Sequence, residues 1–315
     1  MSTSDNRAGF WTPDVWTSID DGVTTSIGAI RVAQNVFPAW PLPNTTSVPA
    51  DIFDFRNMSI AEGEMLPFAE LAVEFSLTNG QVNDDPTGAT AITLSKLAAK
   101  SLALAEDIII FQGRDTDLPQ GVRIESGGKA IGHGLLGLVN EQTIIVQPPD
   151  QDVPTNSGGA ILAAIAEGMR LLIEQGQARP YALIEGTNAW AATWGSVING
   201  EPAYRILNEV LTGGIYGTGA MPPDTGLLVA LGGDPTTIYV GTDAVTEPTQ
   251  QEKSGQYSFR EYERIQVVAR DPRAFVKLDF PYLSHSRQEE ESSEAARQRS
   301  EAAGRQHPAK PKADG

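Results

Sequence analysis

Residues 89 to 112 carry the longest helical pattern in the chain, with Leu97, Ala98, Leu102, Ala105, Ile108 and Ile109 recurring along one side. Gly113 follows the last periodic residue, and a glycine there predicts the stop. The pattern closes on "LAEDIIIFQG" (104–113), which sets Glu106 and Asp107 against Ile108, Ile109, Ile110 and Phe111. An acid pair among apolar neighbours is one mark of an acid–base enzyme. Adjacent helix residues, however, point about 100° apart and cannot share one proton as a facing dyad does. The expectation is therefore structural: both acids at the margin of the buried stripe, on a helix pressed into a core.

Other elements arrange themselves around this helix. Thr12-Pro13-Asp14 predicts a helix start, with Thr as N-cap, Pro in the first turn and an acid at the positive end. Trp16, Ile19, Val23, Ile27 and Ile30 then recur at helical spacing, while Gly22 and Gly28 weaken the helix and make it depend on a docking surface. Residues 36–51 hold four prolines and predict an extended arm. The segment 51–67 reads as a long protruding hairpin. Ala69, Leu71, Val73, Phe75 and Leu77 alternate as a half-buried strand.

A second helix is predicted over 159–175 (Ile161, Ile165, Met169, Leu172, Ile173), stopping at Gly176, followed by the buried strand "PYALIEG". "TNAWAATWGSV" reads as a helix capped by Thr187 or Asn188, "PAYRILNEVL" as another, and "TGGIYGTGAMPP" as a loop. "GLLVAL", "TIYVG", "SFREYERIQVVAR" and "AFVKLDF" are strands. Helices and strands mix without regular βαβ units, so the fold class is α+β.

Composition closes several routes to function. With no cysteine there is no disulfide, thiolate metal site or Cys nucleophile, which suits a cytoplasmic protein. No apolar run reaches the length of a bilayer span, and the N-terminus lacks the pattern of a secretory signal. Six of the 40 acids and six of the 23 bases fall after Leu283, leaving 34 acids against 17 bases before it. A body that acidic is expected to repel nucleic acid unless its few bases cluster. The stretch after Leu283 has no Val, Ile, Leu, Met or aromatic residue, so it is expected to be disordered. "GHGLLG" (132–137) matches a dinucleotide fingerprint by letter, but the strand-like "LVNEQTIIVQPP" follows it where a helix is required. His133 is the only histidine before the tail, which leaves no two-histidine metal site, and its glycine-flanked position predicts a solvated or locally bonded side chain.

Taken in order, "WTPDVWTSIDDGVTTSIGAIRV" (with Trp16, Ile19 and Asp20), "LPFAELAVEFSL", "LAEDIIIFQG", "GHGLLG", "EQGQARPYALIEGTNAW" and "DPRAFVKLDF" resemble segments of the encapsulins, the bacterial and archaeal nanocompartment shell proteins. The resemblance runs from about residue 11 to 280. It implies the capsid fold of the Hong Kong 97 phage: N-terminal helix and arm over 1–50, extended loop over 51–78, and a peripheral domain with its spine helix over 79–137. An axial domain over 138–235 and return strands of both domains over 236–283 complete it, before the tail at 284–315.

The function so implied is a shell subunit, not an enzyme. It self-assembles into an icosahedral compartment that holds a cargo enzyme, such as a peroxidase or a ferritin-like protein, by that enzyme's C-terminal targeting peptide. A phage or prophage major capsid protein enclosing DNA is the alternative; the helix carrying Trp16 and Ile19-Asp20 favours the first, since phage relatives usually carry a scaffold segment there. By the same resemblance, the cargo peptide lies in a groove walled by Trp16, Ile19, Ile30, Val32 and Gln34 on one side and Asp243, Ala244 and Val245 on the other. Asn199, Gly200 and Glu201 fall on the loop that lines the five-fold pore. Some encapsulins hold a flavin beside a Trp shortly after the extended-loop strand; Gly80 stands there instead, so no cofactor is expected. No metal, membrane or nucleic-acid partner is expected either.

Overall fold

The computed structural model describes residues 7, 9–54, 57–128, 131–139, 142–148, 158–251 and 255–283; the tail expected to be disordered lies outside them. Helix α1 (Pro13–Gly28) starts where Thr12 is still extended, with Pro13 in the first turn and Asp14 beside the helix's positive end. Ile30 lies beyond its last turn, so the helical spacing overran the helix by two residues. A short helix α2 (Ala33–Val36) leads into the arm, which supplies β1 (Ala39–Pro41) and β2 (Ser47–Pro49). Strands β3 (Ile52–Asp54) and β4 (Ser59–Ala61) form one two-stranded ribbon, and β2 pairs with β5 (Met65–Pro67) in another. Met58, Ile60 and Met65 are exposed along these ribbons.

The first sheet runs in the order β1-β14-β15-β6-β7, built from β6 (Ala69–Thr78), β7 (Val122–Ser126), β14 (Thr236–Gln251) and β15 (Gln256–Ala269) with β1 of the arm. After the short helix α3 (Asn79–Asn83), the long helix α4 (Ala89–Gln112) packs along this sheet and carries α1 on its side. Gly22 of α1 is the close point, since a Cβ there would run into the Lys96 side chain of α4. Trp16, Ile19, Val23 and Ile27 bury themselves with Ala99, Ala103, Leu77 and Phe259 in one apolar cluster. Phe10, Trp11, Phe75 and Phe259 add an aromatic stack to it.

Two expectations about α4 change. Leu97 is 54% exposed rather than on the stripe. From Ala105 to Phe111 every residue is buried, Glu106 and Asp107 included, because the last turns enter the core between the two sheets instead of lying on one. Gly113 ends the helix with a positive φ, and Gly134 approaches so closely that a Cβ on it would sit 2.4 Å from the Gly113 nitrogen. The glycines of "GHGLLG" thus serve close packing, and the segment forms the one-turn helix α5 (Gly134–Gly137) with His133 exposed.

The second sheet has the order β12-β9-β13-β16-β8, from β8 (Thr143–Ile145), β9 (Tyr181–Glu185), β12 (Gly214–Gly217), β13 (Thr225–Ala230) and β16 (Phe275–Asp279). Helix α6 (Gly159–Glu174) lies over β13, β16 and β8, with Gly168 against Leu228, Val276 and Ile144. Ile173, expected on its buried face, is 58% exposed. Helix α7 (Thr187–Gly195) covers the other end of the sheet; Gly186, not Thr187 or Asn188, is its N-cap, so no side chain caps the helix start. The hairpin β10 (Val197–Ile198) and β11 (Glu201–Pro202) then leads into α8 (Ala203–Val210). The segment expected as a loop after α8 contains β12, which pairs in parallel with β9.

Candidate functional site

The turn between α1 and α2 is fastened by charges from three distant parts of the chain. Arg31 bonds through Nε to Glu106 on α4 and through a terminal nitrogen to Glu263 on β15, both carboxylates fully buried. Its other terminal nitrogen lies 3.3 Å from Asp243 on β14, whose side chain is open to solvent. Gln34 donates to the remaining Glu106 oxygen at 2.6 Å. Asp107 accepts from the backbone nitrogens of Val32 (2.8 Å) and Ala33 (2.9 Å), satisfying donors that the start of α2 leaves open. The acid pair of the spine helix is therefore a clasp for the N-terminal segment.

Burial sets the electrostatics. It raises the Glu106 carboxyl, against the pull of Arg31, and raises Glu263 well above its ordinary value, with Glu106 adding to the shift. Burial, with Glu106 beside it, pushes Asp107 up to about 7. For Arg31 burial works against the charge, but Glu263, Glu106 and Asp243 outweigh it and hold the guanidinium protonated. Burial thus drives all three carboxyls toward their neutral forms around one guanidinium. None of them opens to a substrate, so this chemistry fixes structure.

Beside the clasp lies a cavity of about 220 Å³ lined by Val23, Thr24, Ile27, Gly28, Arg31, Gln34, Asn35, Asp243 and Ala244. A second, of about 610 Å³, shares Gln34 and Asp243 with it and continues along the arm past Pro41 and Pro43 to Tyr262 and Arg264. The structure brings Gln34, Asp243 and Ala244 together on this groove. It places other candidates elsewhere. Trp16 and Ile19 are buried in the cluster under α1, and Val32 is buried in the main core. Ile30 faces a separate cavity with Lys100, Leu104 and Gly219. Val245 is half-buried on β14, paired with Tyr262. Ile27, Arg31 and Asn35 are groove residues that sequence reasoning missed; Arg31 was the available signal, as a lone base inside the apolar run "GAIRVAQNVF".

At the second candidate site, Asn199 and Gly200 have φ of 51° and 86°, so both central turn residues are left-handed and the two-residue hairpin reverses sharply. Glu201 is exposed on β11, ahead of the Pro202 that caps α8, and so stands outside that helix. Gly80 lies in the first turn of α3, whose start Thr78 and Gln81 close with a capping box. Among the described residues no group of His, Cys, Asp and Glu could hold a metal ion, and no helix is long and apolar enough to cross a membrane.

The family model described as an encapsulating protein for peroxidase matches residues 11–263. The chain belongs to that family, the encapsulins. As an encapsulin it is similar to the virus-like particle of Pyrococcus furiosus, at 17% identity and a TM-score of 0.62, covering 84% of this chain and 99% of the other. A structure of Mycobacterium phage Bobi follows at 16% identity and 0.56, covering 79% and 90%. The holo encapsulin complex of Synechococcus elongatus gives 10% and 0.52, covering 78% and 86%. These likenesses show the fold, that of the Hong Kong 97 phage capsid. No curated protein matches the sequence.

Proposed function

We propose that this encapsulin subunit assembles with copies of itself into a closed icosahedral shell in the cytoplasm and holds an enzyme inside by a short C-terminal peptide of that enzyme. Peroxidases and ferritin-like proteins are the cargo classes in view. The observation that carries the reading is the joined groove beside Arg31, walled by Ile27 and Ala244 at one end and by Gln34 and Asp243 where its two halves meet. An extended peptide that buries aliphatic side chains there gains roughly 1.5–3 kcal/mol for each, before ordering costs. The subunit itself supplies walls, not catalysis, and the Asn199–Gly200 hairpin with Glu201 lines the five-fold pore, where a ring of carboxylates favours cations over anions.

The test begins with particles purified from the native host and mass spectrometry of their contents. An enzyme present in wild-type shells and lost from Ala244→Asp shells of equal size supports the groove; equal loading in both defeats it. The phage-like neighbour keeps a second reading open, a capsid enclosing DNA. Nuclease-protected DNA in the particles, with no enzyme, selects that reading.

A further inference from the structure

Two Asn-Gly dipeptides occur in the chain, Asn79-Gly80 and Asn199-Gly200, and the sequence alone does not tell them apart. The pairing has a chemistry of its own. A backbone nitrogen that follows asparagine can attack that residue's side-chain amide, and glycine, with no Cβ, leaves the approach open. Both asparagines are exposed, so exposure does not separate them either. Fastening does. Asn79 opens α3, and its backbone nitrogen donates to the Gly255 carbonyl at 3.1 Å. Its Oδ1 accepts from Asn83 Nδ2 at 2.7 Å and from the Tyr257 hydroxyl at 3.2 Å. The Gly80 carbonyl accepts from the Asp84 nitrogen, which holds that peptide in helical geometry. At the second dipeptide, neither the Asn199 side chain nor the Gly200 N–H has a hydrogen-bond partner among the described residues. A Cβ on Gly200 would meet nothing within 4 Å. The strands that carry this tip are two residues each, and Pro202 has no N–H to give to its partner Val197. So short a ladder opens readily and lets the tip reach other geometries.

We propose that Asn199 is a self-modification site, converted to an acid through a ring closed by the Gly200 nitrogen, while the bonds around Asn79 keep that residue intact. The Gly200 nitrogen gives its proton to hydroxide and forms a bond to Asn199 Cγ. The Cγ–Nδ2 bond breaks, and ammonia leaves. Water then opens the cyclic imide at either carbonyl, yielding aspartate or, with the main chain rerouted through the side chain, isoaspartate. In sum, asparagine and water become an acid and ammonia, with no oxidant and no second protein. The product adds a carboxylate to the hairpin that already carries Glu201. Nothing in this chemistry depends on the shell reading, so the two stand or fall separately.

The test holds the purified full-length protein at pH 8 and 37 °C, with and without urea, and maps its peptides by mass spectrometry over time. In the native protein, the peptide with residue 199 gains the mass of NH2 replaced by OH at least tenfold faster than the peptide with residue 79. In urea, where both turns are gone, the ratio falls toward one. A native ratio no higher than the urea ratio overturns the proposal. Isoaspartate at 199, read by electron-transfer fragmentation, marks the ring route, since direct hydrolysis gives aspartate alone; aspartate without isoaspartate overturns that route. A second protein, carrying Asn83→Ala and Tyr257→Phe, removes both bonds to Asn79 Oδ1. Conversion at 79 then speeds up several-fold while conversion at 199 is unchanged. An unaltered rate at 79 overturns the claim that fastening separates the two sites.

Discussion

Replacing Arg31 and replacing Glu263 have opposite consequences. Arg31→Ala leaves the buried Glu106 and Glu263 carboxyls without their donor, and a buried polar group stripped of its partner costs about 1–3 kcal/mol. Glu263→Gln keeps the shape and a hydrogen-bond acceptor for Arg31, and because burial already drives Glu263 toward its neutral form, it changes stability by about 1 kcal/mol or less. Urea unfolding of the two variants at pH 7 checks the contrast; equal losses mean that Glu263 is ionised. Asp107→Asn turns an amide donor toward one of the two backbone N–H groups and costs roughly 1–3 kcal/mol in the same assay. Little of this was legible in the sequence. Adjacency on a helix correctly excluded a shared-proton dyad at Glu106 and Asp107. It could not show that residue 31 returns to residues 106 and 263, since no local pattern links positions 75 and 232 apart.

Strands β9 and β15 and helix α4 together bury more acid than base, and the pH dependence follows from that. Burial pushes Glu261 up to about 8, against its hydrogen bond from Thr246, and Glu185 up to about 7, against the one from Thr193. Asp107 reaches about 7, and Glu106 and Glu263 are raised as well. A carboxyl whose folded pKa exceeds its unfolded one stabilises fully below the unfolded value, near 4.5 for Glu, and loses that stabilisation as pH climbs through the folded value. The melting temperature is therefore expected to fall between about pH 5 and 8, and Glu261→Gln to flatten the upper part of that fall; scanning calorimetry from pH 5 to 9 reads both. In the β10–β11 hairpin, Gly200→Ala forces a side chain into a left-handed turn position and costs roughly 1–2 kcal/mol, read by the same method. Elements with a single buried face were legible: α1 by its caps and spacing, β6 by alternation. The end of α4, buried all round, hid which residues face out, and β12, half glycine, carried no strand signal.

At the scale of the molecule, a net charge of −17 makes identical subunits repel. If apolar contacts hold them together, salt screens the repulsion and spares the attraction. Raising sodium chloride from 50 to 500 mM is thus expected to lower the free-subunit concentration beside assembled shells, measured by analytical ultracentrifugation; a rise instead means that ion pairs carry the contacts. The clasp has a further consequence, in time rather than in space. Arg7, which bonds to Asp20 and to the Thr246 carbonyl, and Arg31, which bonds to Glu263, both lie at the beginning of the chain and find their partners near its end. During synthesis α1 emerges early and meets α4 soon after, but more than 200 residues pass before the β14 and β15 partners of its two arginines exist. A ribosome that stops short releases a chain whose Arg7 and Arg31 lack these partners and whose groove lacks its Asp243 and Ala244 wall. The segment made first is thus the one fastened last.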